Sequence, residues 1–309
     1  MKLIKPKFWD NDKISFFSIF LLPLSILFQF VNLVRSTIVK EKKYSIPIIC
    51  VGNIYLGGTG KTPLCTEIYN ILQNLKKRPV FIKKKYVSHF DEVHLLKSIG
   101  PIQECYKRKE ALDKAIQNNF EIAILDDGFQ DFTVKKDLNI VCFNETQWIG
   151  NSLIMPSGPL RESLSALKRA NYVVINGKKN IKIENKILEK NKLIEIFYTQ
   201  YKPQNLEKFK SKKIICFAGI GNPINFFNLL EENKLDVLEK IIFPDHYNYS
   251  KKELDNLIEK ATKNNTILLT TEKDYFRLDE EYKKKISYLK IKVEISNVNK
   301  FIEGIKKII

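Results

Sequence analysis

The chain has 309 residues, 44% of them hydrophobic, enough to bury the cores of two ordinary domains and too apolar for a disordered protein. Its formal charge is +17, from 52 Lys and Arg against 35 Asp and Glu, yet only six of the cations are Arg and the lysines are scattered among Ile and Asn. Such a charge suits an anionic membrane or a polyanionic substrate, while nucleic acid is disfavoured because no aromatic residues interleave with the basic ones.

The first element is the apolar, uncharged run ISFFSIFLLPLSILFQFVNLV at 14–34, about as long as the roughly 20 residues that a bilayer-spanning helix needs. Lysines precede it, and Arg35, Lys40, Lys42 and Lys43 follow, so the flanks give no orientation. Pro23, Gln29 and Asn32 weaken a spanning reading. The expectation is a helix in or on a membrane. A buried core helix is the alternative; a secretory signal is disfavoured by the absence of a small-residue cleavage site.

YSIPIICVGN then reads as a strand ending at Gly52, followed by a glycine-rich loop and a helix whose Leu64, Ile68, Ile71, Leu72 and Leu75 share one face. RPVFI (78–82), FEIAILDDGFQ (120–130), LNIVCFN (138–144) and RANYVVING (169–177) supply further strands, with a helical stretch near 108–118. Strands alternating with helices imply an α/β fold of P-loop NTPase-like type, a mainly parallel sheet covered on both faces. Residues 178–211 are dense in Lys, Asn and Glu apart from LIEIFY (193–198), and read as a solvated connector carrying a domain boundary. KKIICFAGIGNP (212–223) and TILLTTEKD (266–274) restart the strand-turn-helix pattern as a second, smaller α/β domain. The expected segments are a membrane-associated helix over 1–40, a P-loop domain over 41–200 and a smaller C-terminal α/β domain over 201–309. The five cysteines form no CxxC pair and read as small buried residues of a reducing compartment, not a disulfide or zinc framework.

The loop VGNIYLGGTGKTP (51–63) carries the chemistry. A turn rich in glycine, leading into a helix N-terminus, points backbone N–H groups at an anion. Tyr55, Leu56, Gly57, Gly58, Thr59, Gly60, Lys61 and Thr62 are the expected nucleotide-binding residues, with Lys61 on the β- and γ-phosphates and Thr62 on Mg²⁺. Tyr55 stands where the usual pattern has its first glycine. The apolar strand that ends in Asp126 and Asp127 has the form of a Walker B element, in which either carboxylate can hold Mg²⁺. Guanine specificity lacks support, since TTEKD has the letters of N/T-K-x-D in the wrong order. Leu56, where partitioning ATPases carry lysine, argues against those relatives. In HFDEVH the histidines are five apart, unlike a zinc-binding HExxH, and GIGNP has Ile224 in place of a third dinucleotide-loop glycine.

VGNIYLGGTGKTP, LDDGFQ (125–130), MPSGPLRESLSALKRA (155–170), GIGNP (219–223), FPDHYNYS (243–250) and TTEKD (270–274), in this order behind an apolar helix, closely resemble the tetraacyldisaccharide 4'-kinase family of lipid A biosynthesis. The resemblance implies transfer of the ATP γ-phosphate to the 4'-hydroxyl of a tetraacylated glucosamine disaccharide 1-phosphate, with Mg²⁺, giving lipid IVA. It further implies two α/β domains with the site in the cleft between them, on the cytoplasmic face of the inner membrane; the chain is expected to be a monomer. By the same resemblance Asp91 matches the family's catalytic base and His246 its partner histidine, brought together from the two domains so that cleft closure gates the chemistry. Arg161 and Arg169 stand ready to contact phosphate or local acids.

The chain departs from the family pattern at Lys84-Lys85-Tyr86-Val87, where RGYG is usual, at Val93 in place of Pro, at Asp131 in place of His, and in a shortened segment before Asp91. Two other functions remain open to the sequence: a membrane-recruited P-loop ATPase switch, and a nucleic-acid binder driven by charge alone.

Overall fold

The N-terminal apolar run forms helix α1 (Phe16–Ile38), capped by the Ser15 hydroxyl accepting from the Ser18 N–H. It and the rest of the chain are seen in a computed structural model, which describes residues 6–10, 14–85 and 90–309, except the side chains of Phe90 and Asp91. The polarity of α1 is the reverse of a core helix. Its two buried residues are Ser18 and Ser25, whereas Phe16, Phe17, Phe20, Leu24, Leu27 and Phe30 are exposed. Ser25 Oγ donates to the Ile154 carbonyl at 2.8 Å, and Asn151 Nδ2 donates to Ser18 Oγ at 3.2 Å. Serines therefore dock the helix on the protein and the large apolar side chains face outward, which rules out the buried core helix.

Two compact units follow, interleaved in sequence. The first comprises residues 1–85, 100–200 and 294–309, the second 86–99 and 201–293. In chain order the elements are β1 (Ile48–Gly52), α2 (Lys61–Asn74), β2 (Pro79–Lys84), α3 (Phe90–Lys97), β3 (Ile102–Cys105), α4 (Arg108–Gln117), β4 (Ile122–Asp126), β5 (Leu138–Asn144) and β6 (Tyr172–Asn176). After these come α5 (Ile181–Leu188), β7 (Glu195–Pro203), β8 (Lys213–Ala218), α6 (Pro223–Glu232), β9 (Asp236–Ile242), α7 (Lys251–Lys263) and β10 (Ile267–Thr271). The chain ends with α8 (Glu272–Tyr275), α9 (Glu280–Lys283), β11 (Ser287–Leu289), β12 (Ile291–Ile295) and α10 (Val298–Lys306).

The first unit is built on an eight-stranded, mainly parallel sheet in the order β12-β7-β6-β5-β1-β4-β2-β3. Every residue of β1, β4 and β6 is buried, because helices cover both faces. Tyr69 of α2 stacks on Phe81 of β2 on one face, while Ala111, Leu112 and Ala115 of α4 pack with Val80 and Ile82 on the other. The register sets Val51 beside Asp126, so the chain leaves β1 at the level where β4 ends in its two aspartates. That edge, where strand order reverses around β1, is where doubly wound sheets bind ligands.

The stretch 178–211 is not the open connector expected from its composition. Ile183 and Ile187 of α5 are buried one turn apart, and Phe197 and Thr199 of β7 are buried beside β6. The lysines lie on the solvent faces of these elements, and lysine density hides such one-sided burial. The second unit has a four-stranded parallel sheet, β11-β10-β8-β9, with one apolar cluster around Phe226, Phe227 and Leu230 of α6 and another around Leu254 and Leu257 of α7. Helix α3 packs against α8 within this unit.

Candidate active site

Gly60 caps α2 in the left-handed region, φ 87°, and Gly57 also has positive φ, 153°, so both positions use the freedom of glycine. Lys61 and Thr62 open the helix, whose first-turn N–H groups have no helical acceptors. The loop is braced from within. Asn53 Nδ2 donates to Thr59 Oγ1 at 3.0 Å, and Gln130 Nε2 donates to the Asn53 carbonyl at 2.9 Å and to Glu162 Oε1 at 3.0 Å. The 155–161 segment braces it from outside: Leu56 N–H donates to the Pro159 carbonyl at 2.8 Å and Arg161 N–H to that of Ile54 at 2.7 Å. Sequence motifs more than a hundred residues apart thus form one scaffold.

Tyr55, which stands where the usual pattern has its first glycine, turns its side chain inward. Its side chain is fully buried, its hydroxyl donates to Asp10 Oδ1 at 2.8 Å, and a Cβ on Gly57 would come within 3.0 Å of its ring. Burial and the Asp10 carboxylate hold its phenol far above the usual range. The ring fills the space beneath the glycine turn, so Tyr55 is a foundation of the loop.

The two aspartates have separate surroundings. Thr62 Oγ1 lies 3.4 Å from Asp126 Oδ2, and the Lys83 ammonium rests on that same oxygen. Asp127 takes Arg161 on both oxygens, at 2.9 and 3.0 Å, with Lys61 Nζ 3.8 Å away. Burial raises the Asp127 carboxyl, but Lys61 and Arg161 outweigh it and hold the group well below the usual carboxylate range. Its backbone is left-handed, φ 57°, and its carbonyl accepts from the buried Arg108 at 2.6 Å. Asp131, the departure after DDGFQ, completes that brace: it pairs with Arg108 at 3.2 Å and accepts from the Thr133 N–H at 2.9 Å. Burial raises its carboxyl, while Thr133 and Arg108 bring it below the ordinary value.

Lys61, Lys83 and Arg161 thus face Asp126 and Asp127, leaving one excess positive charge for a polyanion. Among the described residues no three His, Cys, Asp or Glu side chains form a metal-binding group. Thr62 and Asp126 still offer a hydroxyl and a carboxylate, hard oxygens that fit Mg²⁺ held mainly by phosphates and water. The cysteines are all buried, and burial pushes the Cys50 thiol up to about 11 and Cys142 up to about 12, so these are packing groups and not nucleophiles. Lys83 was hidden in the sequence as one member of a lysine run.

In the second unit, Asp274 of the TTEKD motif is wholly buried and accepts from Gly219 N–H at 3.0 Å, Thr271 Oγ1 at 2.7 Å, Tyr249 Oη at 2.9 Å and Arg277 at 2.7 Å. TTEKD, GIGNP and FPDHYNYS therefore meet at a structural hub. His246 has φ 54°, and its N–H donates to the Gly219 carbonyl at 3.1 Å. Its Nε2 lies 3.3 Å from Lys273 Nζ and 3.9 Å from Glu92 Oε1, while Lys273 pairs with Glu92 at 2.9 Å. The Asp91 side chain lies outside the described residues, but its helix α3 belongs to the same unit as His246. Pairing these two residues from separate domains is thus not required. His89 also lies outside the described residues, and His94 is exposed.

The family described as LpxK, Tetraacyldisaccharide-1-P 4'-kinase, matches residues 17–105 and 90–309. A curated tetraacyldisaccharide 4'-kinase of Pelagibacter ubique is 46% identical over 300 residues, covering 96% of this chain and 95% of the relative. One from Rickettsia canadensis is 33% identical, covering 99% and 98%. A crystal structure of LpxK from Aquifex aeolicus in complex with ATP is 25% identical, with a TM-score of 0.73 over 94% of this chain and 99% of that one. With its loop, paired aspartates and bracing motifs in this order, the chain belongs to the tetraacyldisaccharide 4'-kinase family.

Proposed function

We propose that this protein transfers the γ-phosphate of ATP to the 4'-hydroxyl of tetraacyldisaccharide 1-phosphate, giving lipid IVA, at the cytoplasmic face of a bacterial inner membrane. The observation that carries the reading is the convergence of Lys61, Thr62 and Arg161 on Asp126 and Asp127 at the end of β4. Phosphoryl transfer needs positioning and charge neutralisation more than covalent help. Residues 56–62 cradle the phosphates, Lys61 neutralises the β- and γ-groups, and Arg161, held on Asp127, takes up charge on the transferring group. Thr62 and Asp126 would hold Mg²⁺, which supplies further neutralisation when bound. Asp127 acts through Lys61 and Arg161.

For the acceptor, Asp91 takes the proton of the 4'-hydroxyl as its oxygen bonds to the γ-phosphorus and the bond to the leaving ADP oxygen breaks. His246 orients Asp91, and the Lys273–Glu92 pair fixes the His246 ring. The outward apolar face of α1 supports attachment to the bilayer in which such a lipid resides. The protein acts as a monomer.

The test is incubation of the detergent-purified protein with γ-labelled ATP and tetraacyldisaccharide 1-phosphate, followed by thin-layer separation. Labelled lipid is expected, with Lys61→Ala lowering transfer by about 10²–10³-fold. ATP hydrolysis without labelled lipid would overturn the kinase reading in favour of an ATPase switch.

A further inference from the structure

A cavity of about 440 Å³ in the first unit has no role in that reaction, although its size lies in the roughly 300–1,000 Å³ range of small-ligand sites. Phe129, Phe132, Lys135, Lys136, Asn139 and Arg169 line it, together with Ser36 and Val39 at the end of α1. The Arg169 guanidinium lies 4.8 Å from both the Phe129 and the Phe132 ring, which fixes its plane while one arm donates to Glu162 at 2.7 Å. Lys136 donates to the Asp131 carbonyl, and burial lowers its ammonium below the ordinary value. Lys135 is exposed. Against these three cations the lining holds one acid, Glu41; the nearby Asp131 carboxylate is committed to Arg108 and Thr133.

Asn139 adds a polar side chain to the lining. The cavity thus offers cations for a phosphate and aromatic walls. It opens beside the last turn of α1, whose Leu33 and Ile38 are exposed, so acyl chains joined to a bound head group have an apolar surface to follow. A free phosphate would use the cations alone.

We propose that this cavity binds the head group of an anionic phospholipid, its phosphate at Lys135, Lys136 and Arg169, and so fixes how α1 sits against the bilayer. The proposal rests on the membrane part of the functional reading.

Calorimetry on the full chain with soluble dihexanoyl phosphatidylglycerol, dihexanoyl phosphatidylcholine and inorganic phosphate separates the possible ligands. Saturable binding of the phosphatidylglycerol is expected, about thirtyfold weaker for Lys135→Gln/Lys136→Gln, since each lysine is worth about 1 kcal/mol against an anionic lipid and about 1.4 kcal/mol is a factor of ten. Lys182→Gln/Lys186→Gln on α5, which removes equal charge from exposed positions, is expected to change nothing, and thermal midpoints check that every variant folds. Equal binding of phosphatidylcholine, inorganic phosphate as tight as phosphatidylglycerol, or no difference between the two lysine pairs would each overturn the proposal. Flotation with phosphatidylcholine vesicles tests the membrane reading separately: flotation without soluble phosphatidylglycerol binding sinks only the head-group site, and failure to float with or without about 20 mol% phosphatidylglycerol sinks both.

Discussion

The Lys83 ammonium rests on Asp126 Oδ2 with both side chains almost wholly withdrawn from water, 4% and 1% exposed. Lysine is rarely buried without a partner, and this one, next to last in β2, lies beside the carboxylate that faces Thr62. The site thus carries a built-in cation next to the place proposed for Mg²⁺.

Removing one member of such a pair leaves an uncompensated buried charge. Lys83→Met is expected to lower stability by about 3–5 kcal/mol, and Asp126→Asn added to it to restore most of the loss. Urea denaturation of both single variants and the double variant checks this. Additive effects would mean that the two groups are not coupled. The double variant is expected to remain inactive in lipid phosphorylation.

Tyr55 gives a second expectation, against the intuition that the usual glycine would improve the loop. Tyr55→Gly empties a filled core position and is expected to cost about 3–5 kcal/mol, whereas Tyr55→Phe keeps the ring and loses the hydroxyl's hydrogen bond to Asp10, about 1 kcal/mol. Thermal denaturation of the two variants decides. A Tyr55→Gly protein as stable as wild type would show that the ring is not a foundation.

Asp127 sets an acid dependence. Its folded pKa lies below the unfolded value of about 3.9, so the native state binds fewer protons there and acid favours unfolding. The stability it contributes is complete above that value and is lost as pH falls toward the folded pKa. The gap in unfolding free energy between wild type and Asp127→Asn is expected to stay level from about pH 8 to pH 5 and to narrow below about pH 4. A gap independent of pH would remove the ion pairs to Lys61 and Arg161 as its cause.

On α1, Phe16 and Phe20 are 78% and 75% exposed, so replacing them should leave the fold unchanged. Phe16→Ser and Phe20→Ser are each expected to weaken partition into vesicles by at least about tenfold, with the thermal midpoint unmoved. A shifted midpoint without loss of partition would mean that these rings pack on protein.

The parallel sheet, the phosphate loop and the two aspartates were legible because each is local: a buried run, a glycine turn and an acid at a strand end lie within a few residues of one another. The order of motifs carried the family for the same reason. The roles within the site were less legible. VGNIYLGGTGKTP shows a glycine missing at Tyr55 but not the Asp10 partner or the space beneath Gly57 that explains it. Asp131 reads as a lost histidine until Arg108 is seen beside it.

The sequence by itself determined the chemistry this chain is built for: a cation and a hydroxyl at a helix start, two carboxylates at a strand end, and an apolar helix ahead of them. Only the tertiary structure decided that Asp126 faces Thr62 and Lys83 while Asp127 faces Lys61 and Arg161, that α3 belongs with His246, and that α1 turns its serines inward. Local pattern sets which groups a segment carries and which way a helix or strand repeats. Which groups meet depends on pairings across up to hundreds of residues, where burial forces each charge and donor to find a partner that no local pattern names.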